Sequence, residues 1–122
     1  IETRVYIAEI DIDALRPLEA PLYGVKPLPK FPAVTRDIAL VADESVGTGA
    51  MLDTIIANGG KNLESAKLFD IYRGDKLGAG KKSVAYALTF RASDRTLTDE
   101  EISGAMAKIL RAVQNEYGAE LR

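Results

Sequence analysis

The chain has 122 residues, 47% hydrophobic and 28% charged, the balance of one globular domain able to bury a core without covalent staples. It contains neither cysteine nor histidine. That excludes disulfides, thiolate zinc sites, cysteine nucleophiles and any Ser-His-Asp arrangement, and leaves a metal only oxygen ligands. The net charge of -2 by itself argues against a nucleic-acid binder, but the charge is unevenly spread. Between Lys67 and Arg95 seven basic residues face three acidic ones, whereas the remainder holds nine basic and fifteen acidic. A local basic patch attracts phosphate within a Debye length, and the same block also suits a solvated hairpin surface. No apolar run approaches the roughly 20 residues that span a bilayer, so no membrane association is expected. The absence of cysteine fits a cytoplasmic location. The chain starts at Ile1 rather than Met, which reads as a fragment or a processed product of a longer protein.

In chain order, RVYIAEIDI opens with a strand-like run of β-branched and aromatic residues. All five prolines then fall between Pro17 and Pro32, which predicts an extended, irregular linker. Residues 1–33 are therefore expected to be the end of a preceding module plus a linker, and residues 34–122 a domain. Within that domain VTRDIALVA alternates as a strand, and residues 48–58 place Met51, Leu52, Ile55 and Ile56 at helical spacing before Gly59-Gly60. LESAKLFDIYR reads as a second strand with Phe69 and Ile71 inward, and GDKLGAGKK as a glycine- and lysine-rich loop. SVAYALTFR alternates strictly, with Val84, Tyr86, Leu88 and Phe90 inward. Thr98 and Glu101 form a capping-box pattern ahead of an apolar stripe from Ile102 to Val113, and AELR after Gly118 supplies a short final strand.

The resulting order is β-α-β-β-α-β. This is an α+β fold, a ferredoxin-like split β-α-β sandwich in which a four-stranded antiparallel sheet carries both helices on one face. Alternation places Ile38, Leu40, Phe69, Ile71, Val84, Tyr86, Leu88, Phe90 and Leu121 under the helices. It leaves Ala39, Asp70, Tyr72, Ser83, Ala85, Ala87 and Arg122 on the open face. An open sheet with an aromatic and a few polar groups is one format in which proteins read unpaired RNA bases. Tyr72 offers a stacking surface. The Asp70 carboxylate, an acceptor only, suits the adjacent N1–H and N2–H donors of guanine. Ser83 adds a hydroxyl, and Arg122 a group for phosphate or for lying flat on a base. A solvated strand surface has the same pattern. The GDKLGAGKK loop lacks the spacing of a phosphate-binding P-loop. The acidic clusters Asp11/Asp13, Asp43-Glu44 and Asp99-Glu100-Glu101 have no visible base or nucleophile partner, so no catalysis is expected of this chain.

The segments PKFPAVTRDIALV, LFDIYRG, GKKSVAYALTFRASDRTLTDEEI and the terminal GAELR resemble, in order, the C-terminal ferredoxin-fold anticodon-binding domain of the bacterial-type phenylalanine–tRNA ligase beta-subunit family. VYIAEIDIDAL is similar to the end of the module before it. The resemblance implies an anticodon stem-loop of tRNA(Phe) as partner. Asp70 and Tyr72 would read and stack on the first anticodon base, a guanine, and Ser83 would hydrogen-bond the same base. Ala39 and Arg122 would complete the site. It further implies a parent enzyme, an (αβ)2 heterotetramer with an alpha subunit, that uses ATP and Mg2+. No cofactor is implied for this piece. Two other uses of the fold stay open: a small-molecule regulatory domain of ACT-like type, and a structural docking module.

Overall fold

The computed structural model describes residues 3–18 and 28–122. Near the start, α1 (Ile12–Leu15) is a single turn capped by Asp11, whose carboxylate accepts from the backbone N–H groups of Asp13 and Ala14. A 3-10 turn follows at Arg16–Leu18, where the proline pattern predicts extended chain. Residues 19–27 of the proline-rich stretch lie outside the described residues. The strand expected at RVYIAEIDI is not formed. Val5, Tyr6, Ile7 and Ile10 are exposed and no strand among the described residues pairs with this run. A lone strand leaves its backbone donors and acceptors without partners, so β-propensity alone does not produce one.

From Val34 the elements are β1 (Val34–Asp43), α2 (Thr48–Asn58), β2 (Leu63–Tyr72), β3 (Lys81–Phe90), α3 (Asp99–Tyr117) and β4 (Glu120–Leu121). This is the predicted β-α-β-β-α-β order. The strands lie β2-β3-β1-β4, all pairs antiparallel, as a ferredoxin-like fold requires. The helix ends follow from the residues that cap them. Thr98 and Glu101 form the full capping box, with Asp99, Glu100 and Glu101 in the positive first turn. Gly118 stops α3 at φ 62°, a left-handed turn that a side chain would strain.

The core is the layer between sheet and helices. Ile38, Leu40, Val84, Tyr86, Leu88 and Phe90 meet Met51 and Ile55 of α2 and Ile102, Ile109 and Val113 of α3. Ile56, grouped with the apolar face of α2 by spacing, is instead exposed, and Thr54 is buried in its place. Its hydroxyl donates to Glu116 and shares a hydrogen bond with the Tyr117 hydroxyl, tying α2 to α3.

Two residues placed inward by alternation are instead exposed. Phe69 is 59% exposed because β2 bulges between Leu68, opposite Tyr86, and Asp70, opposite Ala85. The bulge inserts Phe69 as an unpaired residue. It also restores parity, so Ile71 still faces the core while Asp70 and Tyr72 share the open face. Leu121 pairs opposite Leu40, but β4 is a two-residue edge strand and Leu121 is 58% exposed.

Tyr86 is the largest fully buried side chain, and its hydroxyl donates to the Thr48 carbonyl at 2.8 Å. Burial, with a smaller effect of Tyr117, pushes its phenol from 10.0 up to about 12. The neutral form is thus favoured by folding. Its contribution is complete below the ordinary tyrosine value and is lost as pH rises through about 12. Alkaline absorbance titration should show one late phenolate that Tyr86→Phe abolishes. In urea at neutral pH the same substitution should cost about 0.5–1.5 kcal/mol, the worth of one hydrogen bond.

Candidate nucleic-acid interface

The inner strands set the floor of the open face. β1 and β3 pair continuously from Val34↔Phe90 to Asp43↔Lys81, and every second residue of each faces away from the helices. In the middle of the sheet those residues are small: Ala39, Ala85 and Ala87. Cross-strand pairing brings Asp70, Ala85 and Ala39 into one row, and the Arg122 N–H closes it by donating to the Ala39 carbonyl at 2.9 Å. The adjacent row is Tyr72, Ser83, Val41 and Glu120. All five residues expected in the site therefore fall in two neighbouring rows.

Tyr72 and Arg122 start on opposite outer strands, three strand spacings of about 4.8 Å each apart. Their side chains nevertheless meet. The Arg122 guanidinium carbon lies 5.3 Å from the centre of the Tyr72 ring, a cation–π contact made above the small inner residues. Tyr72 and Asp70 are exposed, and no side chain among the described residues pairs with the Asp70 carboxylate. Ser83 differs from expectation. It is only 4% exposed between its neighbours Tyr72 and Val41, so its hydroxyl is far less available than an open-face position implies.

Residues 29–122 match the ferredoxin-fold anticodon binding domain. The chain belongs to this family. Over all 122 residues it is 43% identical to the phenylalanine–tRNA ligase beta subunit of Clostridium acetobutylicum, and 46% identical to that of Clostridium tetani. With the same subunit of Streptococcus mutans it shares 47% identity over 117 residues, 96% of the chain. The chain spans about 15% of the length of each of these curated relatives.

In this anticodon-binding domain three of the seven basic residues of the 67–95 block are held in salt bridges. Arg73 pairs with Glu44, Arg91 with Glu64, and Arg95 with Glu101 and Asp94. Lys82 is buried, with its ammonium donating to the Glu44 carbonyl. Lys67, Lys76 and Lys81 are the exposed cations of the block without a salt-bridge partner among the described residues. The open face itself carries mixed charge: Lys67, Asp37, Asp70, Glu120 and Arg122. That mixture disfavours the burial of this face against an apolar partner. No helix among the described residues is long and apolar enough to cross a membrane, and no three acidic side chains there converge on a metal-sized site.

Two residues that sequence reasoning missed organise the edge of the site. In the sequence Glu44 is only one of an acidic pair with no visible partner. Its carboxylate takes three hydrogen bonds from Arg73, at 2.7–3.0 Å, while its N–H donates to the Gly80 carbonyl. It thereby clamps both ends of the β2–β3 hairpin to the end of β1. Gly74, two residues beyond Tyr72, lies against the Tyr72 phenol. The open-face parity of Tyr72 is legible in the sequence, but the leaning of its ring over Gly74, which reads there only as a loop glycine, is not.

The hydrogen bonds from Arg73 hold the Glu44 carboxyl below its ordinary value of 4.5, assisted by the charges of Arg73 and Lys82. The clamp is therefore complete above that pH and is lost as pH falls through the lowered value. A carbon-13 NMR titration should place the Glu44 midpoint below 4.5. Arg73→Met should return it upward, and an unchanged midpoint would show that the pair does not persist in solution.

Proposed function

We propose that this domain holds the anticodon stem-loop of tRNA(Phe) as the C-terminal part of a phenylalanine–tRNA ligase beta subunit. Residues 34–122 form the RNA-binding domain, and residues 1–33 the end of a preceding module with its linker. The chemistry of joining phenylalanine to tRNA, with ATP and Mg2+, belongs to the parent cytoplasmic enzyme and its alpha subunit in an (αβ)2 assembly. The domain contributes binding and makes or breaks no bond.

The observation that carries this reading is the strip of the open face on which Asp70, Tyr72 and Arg122 come together over alanines. One planar base fits such an arrangement. Tyr72 provides the stacking surface and Arg122 a cation beside it. Asp70 accepts two hydrogen bonds from the N1–H and N2–H edge that guanine alone presents among the common bases. Ala39 and Ala85 keep the floor low enough for the base to lie flat. Ser83, nearly covered, joins the same base only where Tyr72 yields space. The exposed Lys67, Lys76 and Lys81 supply the phosphate attraction, which is non-specific and salt-dependent.

With only Lys67, Lys76 and Lys81 exposed and unpaired in its basic block, and a net negative charge, the 122-residue chain should bind an anticodon stem-loop weakly at physiological salt, with Kd of about 10⁻⁴–10⁻⁶ M. An NMR titration comparing GAA with AAA anticodons tests the reading. Shifts should concentrate on Asp70, Tyr72 and Arg122 and weaken for AAA. Tyr72→Ala should reduce affinity by about 1–3 kcal/mol, the worth of one stacked base. Asp70→Asn should erase the preference for guanine. Equal affinity for both loops in the unaltered chain would refute base reading by this face.

A further inference from the structure

We infer that Gly74 is a positioning residue for Tyr72: its missing side chain provides the resting place of the phenol and so sets where a nucleobase can stack. This deepens the reading of Tyr72 as a stacking surface and rests on it. Gly74 has φ -166° and ψ 158°, extended backbone that any residue adopts, so its conformation gives no reason for glycine. Space does. A β-carbon at Gly74 would lie 2.2 Å from the Tyr72 hydroxyl oxygen, 2.5 Å from Cζ and 2.9 Å from Cε1. All three atoms belong to the distal half of one rigid ring, so the ring cannot yield by flexing. It must turn about χ1 or χ2 as a unit.

The backbone at Gly74 has little freedom to retreat instead. Arg73, between Tyr72 and Gly74, is held by its three hydrogen bonds to Glu44. The Leu77 N–H donates to the Gly74 carbonyl at 3.0 Å, closing the 3-10 turn of the hairpin loop. On the ring side, Tyr72 is 40% exposed and has room to swing away from the sheet. A side chain at Gly74 would therefore move the ring rather than the loop. The displaced ring would lose its contact with Arg122, and the strip between Tyr72 and Asp70 would no longer match one base.

The test uses the full 122-residue chain and a GAA anticodon stem-loop as probe. Without RNA, Gly74→Ala should leave the amide spectrum of β1, α2 and α3 unchanged. It should shift the Tyr72 ring signals and remove the ring-current shift on the Arg122 side chain. With RNA, it should weaken binding about 5- to 150-fold, as loss of one stacking contact does. Added to Tyr72→Ala, it should change affinity less than twofold, because the ring it positions is already gone. An equal loss on both backgrounds would show that Gly74 acts through the loop or touches RNA itself, and would overturn the inference. Unmoved Tyr72 signals would overturn it too. If Gly74→Ala disturbs the fold, Tyr72→Ala should relieve the defect, and failure to do so again overturns the inference. If Tyr72→Ala binds as tightly as the unaltered chain, the stacking reading falls and takes this inference with it. If Tyr72→Ala weakens binding and Gly74→Ala does not, only the role of Gly74 falls.

Discussion

The unbroken pairing of β1 with β3 is the constraint on which the rest of this domain depends. Ten consecutive pairs join the two inner strands, and the inward residues of both are buried against α2 and α3. Because strand side chains alternate with period two, a slip of one residue would turn Leu40, Tyr86 and Leu88 to solvent. Burying such side chains is worth roughly 1.5–3 kcal/mol each, so the register is strongly held. The same alternation dictates the other face. Once the large apolar residues are committed to the helices, Ala39, Ser83, Ala85 and Ala87 have no choice but to form the open floor. The functional face is in this sense the remainder of the core.

The outer strands then furnish the polar groups. β2 contributes Asp70 and Tyr72, and the chain beyond β4 contributes Arg122, so the groups proposed for recognition stand on both rims of a floor that is low between them. The rims are held less firmly than the centre: β4 has two residues, and β2 has bulges along its length and packs only the partly buried Leu63, Ala66 and Ile71 against the core. Polar contacts add to this packing. Arg122 is placed by its N–H bond to Ala39, and the end of β2 by the Glu44–Arg73 pair. Exposed pairs of this kind add little to global stability. Their effect here is local, because they fix backbone at the two points from which the recognition side chains project.

The division between what was legible and what was not follows from this plan. The strand order, the α2 and α3 boundaries and the inward set of β1 and β3 could be read because periodicity and capping are local and strong. The open-face placement of Ala39, Asp70, Tyr72, Ser83 and Arg122 followed from parity. Phe69 could not be placed, because a bulge is a property of a strand pair and leaves no period of its own in one strand. RVYIAEIDI read as a strand because propensity measures fit to a sheet, and no partner strand is present among the described residues. The burial of Ser83 depends on how its neighbours pack, and the seat at Gly74 on which way a tyrosine leans, choices between rotamers that alternation does not encode. The pairing of Arg73, Arg91 and Arg95 within the basic block was not legible either, since sequence counts charges and only the fold pairs them.

The contact between Arg122 and Tyr72 bears on how a base would enter. In the free domain the guanidinium already lies over the ring, worth about 0.5–1 kcal/mol at an exposed site. Stacking of a base on tyrosine is worth about 1–3 kcal/mol, so replacing the cation by a base is favourable even if the arginine gains nothing in return. It also need not lose its partner, because a guanidinium stacks on a base as readily as on a phenol and carries donors for a nearby phosphate. Until then the pair holds the two side chains together. The ordering entropy of two long side chains is partly spent before RNA arrives, which lowers what binding must supply. A weakly charged domain of this size can thus select a base with few contacts, provided that the ring, the cation and the carboxylate are already in register on the rims of the same sheet.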